Sequence, residues 1–568
     1  MNFVKTSKIR HMWIIVLLAL LAGGAGVFTM PVLDRDEARF AQAATQMLET
    51  GDYVNIRFQD EARNKKPVGI YWAQVLSVKV FSDVQAREIW AYRIPSLLSA
   101  MLAALATYLA GCYLVGQRAA FAGAALLAVS VLLGTEAGIA KTDAALLANT
   151  TVMMAVLAAL RHGSFRGAAL LFWSAMGLSI LIKGPLGPAL VILTLGALFI
   201  WERKANWLRP LLIWWGPLLA MAIVLPWVWA IQQATDGAFL RDALGGDFAA
   251  KIAVGKERHG APPGYYTLLL VFTIFPASFF LLPGILKSWK TRRQAQVGTD
   301  TKFLIAWAVP FFLMLELVPT KLMHYPLLVY PAIALICGLG LQHLSEFRWS
   351  KYISAGLAML MPLLVVGVIF YLQADASLGF WRASVFVWAL VIAMFAIAFF
   401  GGFYAIKNNT CFALILVIIA GLLWHFNLRT LIVPSIPLAA TSSKISDLLA
   451  KNDLHPRLTD AKNLSVMSVN YTEPSLVFAL GTDTIMTGDE NSFAKYQQYQ
   501  PSVIVYSLEN CLEQSLQANE DHKLGKFLNA IKQADDLCPI AVVPAFQGYN
   551  YSRSDCLSVH IFTMRQCK

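Results

Sequence analysis

The run MWIIVLLALLAGGAGVFTM, residues 12–30, followed almost at once by DRDEARF, residues 34–40, decides how the rest of the chain is read. A helix needs about 20 apolar residues to cross the hydrocarbon core, and this run has the length and carries no charge. Lys5, Lys8 and Arg10 precede it, and no small-residue cleavage site separates it from Asp34. A retained first span is therefore expected rather than a removed leader. Working outward, apolar runs recur at about 92–115, 119–134, 143–160, 168–183, 186–201, 211–231, 265–286, 303–319, 324–342, 352–372, 383–405 and 411–433. Together they predict a polytopic α-helical membrane protein of about thirteen spans.

Composition agrees with that reading. Of 568 residues, 57% are hydrophobic and 14% charged, whereas soluble domains carry roughly 25% charge. Such a chain is neither a soluble globular protein nor a disordered one. The net charge of +12 would suit a nucleic-acid binder in a soluble protein. Here the excess sits between apolar runs, so no nucleic-acid partner is expected. With the N-terminus inside, seventeen Lys and Arg fall in short inner segments, against Lys141, Lys183, Lys321 and Arg382 in short outer turns. That bias predicts a membrane protein with its N-terminus on the inner side. The long segments 34–91 and 232–264 and the tail beyond Val433 then lie outside.

The chain divides accordingly into a transmembrane part, residues 1–433, and an outer α/β domain, residues 434–568. Segments 463–469, 475–480 and 501–507 read as strands, while 444–451 and 523–533 read as helices. Cys511, Cys538, Cys556 and Cys567 lie in the tail, where an oxidising compartment makes two disulfides expected; four cysteines allow three connectivities.

Ionisable groups at membrane edges are functional candidates by default. Asp36 and Glu37, with Arg39, open a stretch in which Phe40, Ala43, Ala44, Met47 and Leu48 recur at helical spacing, predicting an amphipathic surface helix. Capping accounts for one acid at a helix start; Asp34, Asp36 and Glu37 together exceed it. Lys65, Lys66 and Pro67 sit in a basic cluster on the side where positive charge opposes insertion, as a phosphate-holding loop would. The ordinary alternative is attraction to anionic headgroups. Lys141-Thr142-Asp143 opens a span, where capping is again the alternative, and Lys183 closes one, where it could snorkel. Lys321, His324 and Tyr325 share one Pro-bracketed turn. In the loop at 232–264, Lys251 adds a further cation, and Glu257 with His259 forms a two-ligand metal candidate. Transporters instead place polar groups on broken helices at the midplane, often in repeated halves, and these spans lack that pattern.

Several of these stretches are similar to known family blocks. Asp36-Glu37-Ala38-Arg39-Phe40 with Gly51-Asp52-Tyr53, Lys65-Lys66-Pro67 and Tyr71-Trp72 resembles the first outer loop of the ArnT-like, PMT-superfamily glycosyltransferases of GT-C type. Lys141-Thr142-Asp143, Leu181 to Pro185, Pro226-Trp227, Glu257 to Tyr266 and Pro319 to Pro326 follow in family order. The resemblance implies an inverting enzyme that moves a sugar from a polyprenyl (undecaprenyl) monophosphate to lipid A or another envelope acceptor at the periplasmic face. It implies catalytic roles for Asp36, Glu37 and Asp143, and contacts to the donor phosphate from Lys66, Lys251, Lys321, Tyr325 and Arg39. Lys183, His324, Glu257 and His259 would support them. Lys65 departs from the Glu that many lipid A aminoarabinose transferases carry before Lys-Pro. No nucleotide pyrophosphate takes part, so no cofactor is obligatory, though a divalent metal is compatible. The competing expectations are a protein O-glycosyltransferase with the same topology and a flippase for lipid-linked sugars. The donor sugar, the acceptor and the oligomeric state are open at this stage.

Overall fold

The computed structural model describes residues 2–33, 35–163, 166–243, 260–293, 299–347, 349–374, 382–436, 440–458, 464–509, 514–535, 537–550 and 555–566. Each of the thirteen apolar runs is helical, but not every one forms a single straight helix long enough to cross a membrane. Among the described residues eight helices are long and apolar enough to cross a membrane, and up to ten if two bent pairs each count as one crossing. The bent pairs are Gln117–Ala128 with Val131–Ala137, at 56°, and Tyr265–Thr273 with Ala277–Thr291, at 108°. Ala168–Lys183, Leu186–Glu202 and Thr301–Leu317 are shorter, with 16, 17 and 17 residues. Hydropathy sees apolar length and is blind to bends, so it counted a bent pair and a straight helix alike.

The 34–91 segment folds onto the ends of the bundle. The helix Arg35–Thr50 buries every residue from Glu37 to Met47 except Arg39, polar Gln42, Thr45 and Gln46 included, so it is enclosed rather than half-exposed as a surface helix would be; it stops at Gly51, whose φ of +71° suits glycine. It packs against helix Gly69–Phe81 and against helix Pro474–Leu480 of the tail, so protein covers it. A hairpin of β1 (Arg57–Phe58) and β2 (Glu61–Ala62) joins the two loop helices. Gly69–Phe81 leaves Leu76, Val80 and Phe81 exposed, as a helix facing lipid would.

The tail forms a mixed sheet in the order β4 (Ile485–Thr487), β3 (Val466–Val469), β5 (Val503–Glu509), β8 (Asp555–Gln566), β6 (Leu537–Ala541), with β7 (Phe546–Asn550) also on β8. β3 runs parallel to β4 and β5, and the β8 pairings are antiparallel. Residues 475–480, expected as a strand, lie instead in helix Pro474–Leu480. Pro474 occupies the first turn and Gly481 follows the last, the arrangement that starts and stops a helix, and the five apolar residues 476–480 alone could not reveal it. Thr441–Lys451 and Gln514–Asp535 are helical as expected. Cys538 and Cys556 are both disulfide-bonded. Cys538 lies opposite Arg565 and Cys556 opposite Tyr549. Nine residues of β8 separate those levels, about 30 Å, so these two are not bonded to each other, and one of the three connectivities is excluded. Cys511 and Cys567 lie outside the described residues.

Candidate active site

Three helix ends converge. Asp143 opens helix Asp143–His162, where a carboxylate suits the positive end of the dipole. Lys183 closes helix Ala168–Lys183, complementing the negative end, and Gly184 turns the chain at φ +65° into Leu186–Glu202. The two helices pack side by side, so the complementary ends meet: Lys183 Nζ donates to Asp143 Oδ1 at 2.5 Å, both side chains buried. His324 Nε2 stands 3.8 Å from the same oxygen. The Tyr325 ring lies under the Lys183 ammonium, 5.6 Å from its centre, and edge-on to His324 at 5.1 Å.

Lys66 reaches this place through a close backbone approach. A Cβ on Gly69 would stand 2.8 Å from the Leu181 carbonyl, so only glycine lets the start of helix Gly69–Phe81 press against the end of Ala168–Lys183. Lys66 then lines a cavity of about 290 Å³ with Asp143, Lys183, His324 and Tyr325, over an apolar wall that includes Leu146, Leu186, Phe311, Leu315 and Leu328. A second hollow of about 370 Å³, walled by Val224, Trp227, Phe239 and Leu240, shares Lys66, Lys183 and Pro185 with the first. Two lysines therefore stand where two largely apolar hollows meet.

Asp36 is half exposed on the loop helix. Arg63 Nη2 donates to its Oδ1 at 3.4 Å and Arg39 lies at 3.8 Å. Partial desolvation would raise the Asp36 pKa, but Arg63, Lys141 and Arg39 outweigh it and hold the carboxyl below its ordinary value. Arg63 is itself fixed by the Tyr71 hydroxyl at 3.3 Å and by the face of Phe40.

Glu37 is placed differently from its neighbour. It is 2% exposed and takes a two-pronged bond from Arg93, at 2.7 and 2.9 Å, plus the Ala140 backbone N–H at 2.9 Å. Arg93 also donates to the carbonyls of Val27 and Met30. Glu37 thus ties the first span, the loop helix, the 89–114 helix and the Lys141 turn together. Lys321 likewise spends its protons on the carbonyls of Leu315, Glu316 and Val318, at 2.6–2.7 Å, closing helix Thr301–Leu317, and it does not line either cavity. Lys251, Glu257 and His259 lie outside the described residues.

Sequence reasoning missed Arg93 and Glu316. Arg93 carried a signal, a lone arginine in an apolar run, which is costly unless paired. Glu316 accepts from the Gly264 and Thr267 N–H groups and the Thr267 hydroxyl, each at 2.9 Å, and so holds the start of helix Tyr265–Thr273.

The model of a family described as dolichyl-phosphate-mannose-protein mannosyltransferase matches residues 65–229, the stretch that supplies Lys66, Asp143 and Lys183. A Pseudomonas aeruginosa undecaprenyl phosphate-alpha-4-amino-4-deoxy-L-arabinose arabinosyl transferase is 28% identical over 67% of this chain and 73% of its own length. A second such transferase, from Pseudomonas fluorescens, is 31% identical over 48% of this chain and 46% of its own. The fold is that of ArnT from Cupriavidus metallidurans in its form bound to undecaprenyl phosphate, with a TM-score of 0.74 and 18% identity over 96% of this chain and 97% of that one. The chain is a membrane glycosyltransferase of the GT-C type, similar to the ArnT-like branch of the PMT superfamily.

Proposed function

We propose that this glycosyltransferase transfers a sugar, with inversion, from an undecaprenyl-type monophosphate carrier to a phosphate of lipid A or to another envelope acceptor, at the periplasmic face of the bacterial inner membrane. The observation that carries the reading is the pair Lys66 and Lys183 at the meeting of two apolar hollows, beside Asp143. A polyprenyl tail suits the apolar walls, and the head phosphate suits the lysines. The anomeric carbon–oxygen bond to the carrier phosphate breaks as the acceptor oxygen attacks from the opposite side. The electron pair leaves with the carrier, whose growing negative charge strengthens its bonds to Lys66 and Lys183. His324 and Tyr325 line the same wall and orient the head group, while Asp143 holds Lys183 in place.

Asp36 fits one acceptor class better than the other. A carboxylate kept below its ordinary pKa is a weak base. That suits an acceptor already anionic, such as a lipid phosphate, which Asp36 would orient together with Arg63 and Arg39. A hydroxyl acceptor would require Asp36 to take a proton. The description of the matching family, protein mannosyl transfer, supports a second reading with a protein hydroxyl as acceptor.

Mass spectrometry of lipid A and of total envelope glycans, in a host lacking this gene and complemented with wild type or Asp36→Asn, tests the proposal. A sugar-sized increment on lipid A with wild type only is the expected result. The same increment on a glycoprotein or another glycan would keep the enzyme and replace the acceptor. Full complementation by Asp36→Asn would remove Asp36 from the reaction and favour a flippase for lipid-linked sugars.

A further inference from the structure

Away from both cavities of the active site, and sharing no lining residue with them, a hollow of about 220 Å³ opens between the end of the first span, the start of the 89–114 helix and the tail. Arg87, Arg457, Ser442, Ser443 and Ser446 supply its polar wall, and Pro31, Val32, Ile89 and Phe478 its apolar one. Arg87 is 5% exposed; its Nη1 and Nη2 groups are spent on Gln42, Glu49, Thr482 and the carbonyls of Val477 and Phe478, but among the described residues its buried Nε–H finds no acceptor. Among the described residues the Arg457 guanidinium bonds to the carbonyls of Gln85 and Ala479, and its Nε–H is likewise buried and finds no acceptor there. Among the described residues no carboxylate forms an ion pair with Arg457.

A leftover donor on a buried guanidinium is costly, and two around one hollow amount to an unfilled demand for an acceptor. The helix Thr441–Lys451 adds to it. Ala440 at its N-cap offers no side-chain oxygen, so the N–H groups of Ser442 and Ser443 have no helical acceptor and carry the positive end of the dipole. Among the described residues the wall carries one carboxylate, Asp447, which is exposed. Burial and the neighbouring Arg87 push Arg457 down to about 10, with Glu49 and Tyr92 acting the other way. Burial, Arg457 and Arg87 bring His455 to about 4, so it stays neutral and donates no compensation either way.

We propose that this hollow is a phosphate seat, in which Arg87, Arg457 and the start of helix Thr441–Lys451 hold the phosphate of a lipid headgroup. The position favours a lipid over a soluble source. Pro31 and Val32 stand just past the first span, and Phe28, 74% exposed, packs on Trp90 beside them, as aromatic side chains do at the membrane interface. Because the seat joins the tail to the first loop, its occupant would clamp the Arg35–Thr50 helix that carries Asp36.

The test is calorimetric titration of the full chain in an uncharged detergent with dioctanoyl phosphatidic acid, dioctanoylglycerol and inorganic phosphate. Ser443 is exposed on the rim, so Ser443→Glu sets a negative charge in the seat while strengthening the helix start. Phosphatidic acid is expected to bind, dioctanoylglycerol not, and Ser443→Glu to weaken binding about tenfold or more through like-charge contact, with Ser443→Ala unchanged. Inorganic phosphate binding as tightly, and equally sensitive to Ser443→Glu, would keep the seat and make its source soluble. Wild-type affinity in both Ser443→Glu and Arg457→Gln would overturn it. None of these readouts depends on sugar transfer, so the seat and the proposed reaction fail separately.

Discussion

The helix Asp143–His162 carries a buried charge cluster at each end, and the two clusters are built to opposite rules. At its start, Asp143 faces Lys183, with His324 and Lys66 around the same cavity, so cations outnumber the carboxylate and the wall opens into space. At its end, Arg161 takes both oxygens of Glu202 at 2.7 and 2.6 Å and also bonds Asp300. His162 reaches Asp300 at 2.9 Å and Lys302 reaches Glu202 at 2.9 Å. There the arginine and lysine match two carboxylates, and Asp300 also caps helix Thr301–Leu317 through the Phe303 N–H. A closed, charge-balanced cluster fastens three helices. An open cluster with surplus positive charge waits for an anion. The same residue types thus serve as strut or as site according to charge balance and access.

The largest effect expected from that contrast is on transfer. Lys183→Met and Asp143→Asn should each lower sugar transfer per folded molecule by roughly 10²–10³, the scale for losing a group that stabilises departing charge. The double variant should fall less than the product of the two, because the pair acts as a unit. If Asp143→Asn instead lowered thermal stability while sparing transfer, the open end would be a strut like the closed one. Next in size is Arg161→Ala, which leaves Glu202 and Asp300 buried without their shared partner. It should cost about 3–5 kcal/mol of stability, read by thermal unfolding in detergent, with transfer by the surviving folded protein little changed.

This contrast also shows what a sequence can disclose. Asp143, Lys183, His324 and Tyr325 were each legible because they are charged or polar groups at the ends of apolar runs, where hydropathy makes them conspicuous, and Lys66 because it sits in a basic cluster on the side where positive charge opposes insertion. Their convergence was not, since it depends on Gly69 pressing against the Leu181 carbonyl, a contact across more than a hundred residues. Asp36 and Glu37 looked alike as adjacent acids in a first turn. Only the partner separates them, because Arg93 lies 56 residues from Glu37 and a span's worth of apolar sequence hides it. The closed cluster went unread for the same reason: Arg161, Glu202 and Asp300 come from three elements, and each alone resembles an ordinary inner-side charge. Thirteen apolar runs were legible as helices, whereas the bends at 128–131 and 273–277 depend on packing that hydropathy does not encode.

The smallest effect concerns how the closed cluster meets acid. Burial would raise the Asp300 pKa, but His162 and Arg161 bonded to it prevail and bring it below the ordinary carboxylate value. A folded-state pKa below the unfolded one means that folding favours the ionised form. The stability Asp300 contributes is therefore present in full above the unfolded value, roughly pH 4, and drains away as pH falls through the lowered folded value. Thermal melts of the full chain from pH 7 to pH 3 should show wild type holding steady down to about pH 4 and weakening below it. Asp300→Asn, which keeps an acceptor for the Phe303 N–H, should start less stable at pH 7 and lose less on further acidification. Parallel acid slopes in the two proteins would mean that Asp300 is as acidic in the unfolded chain as in the folded one, and the closed end would then owe its hold to packing rather than to matched charge.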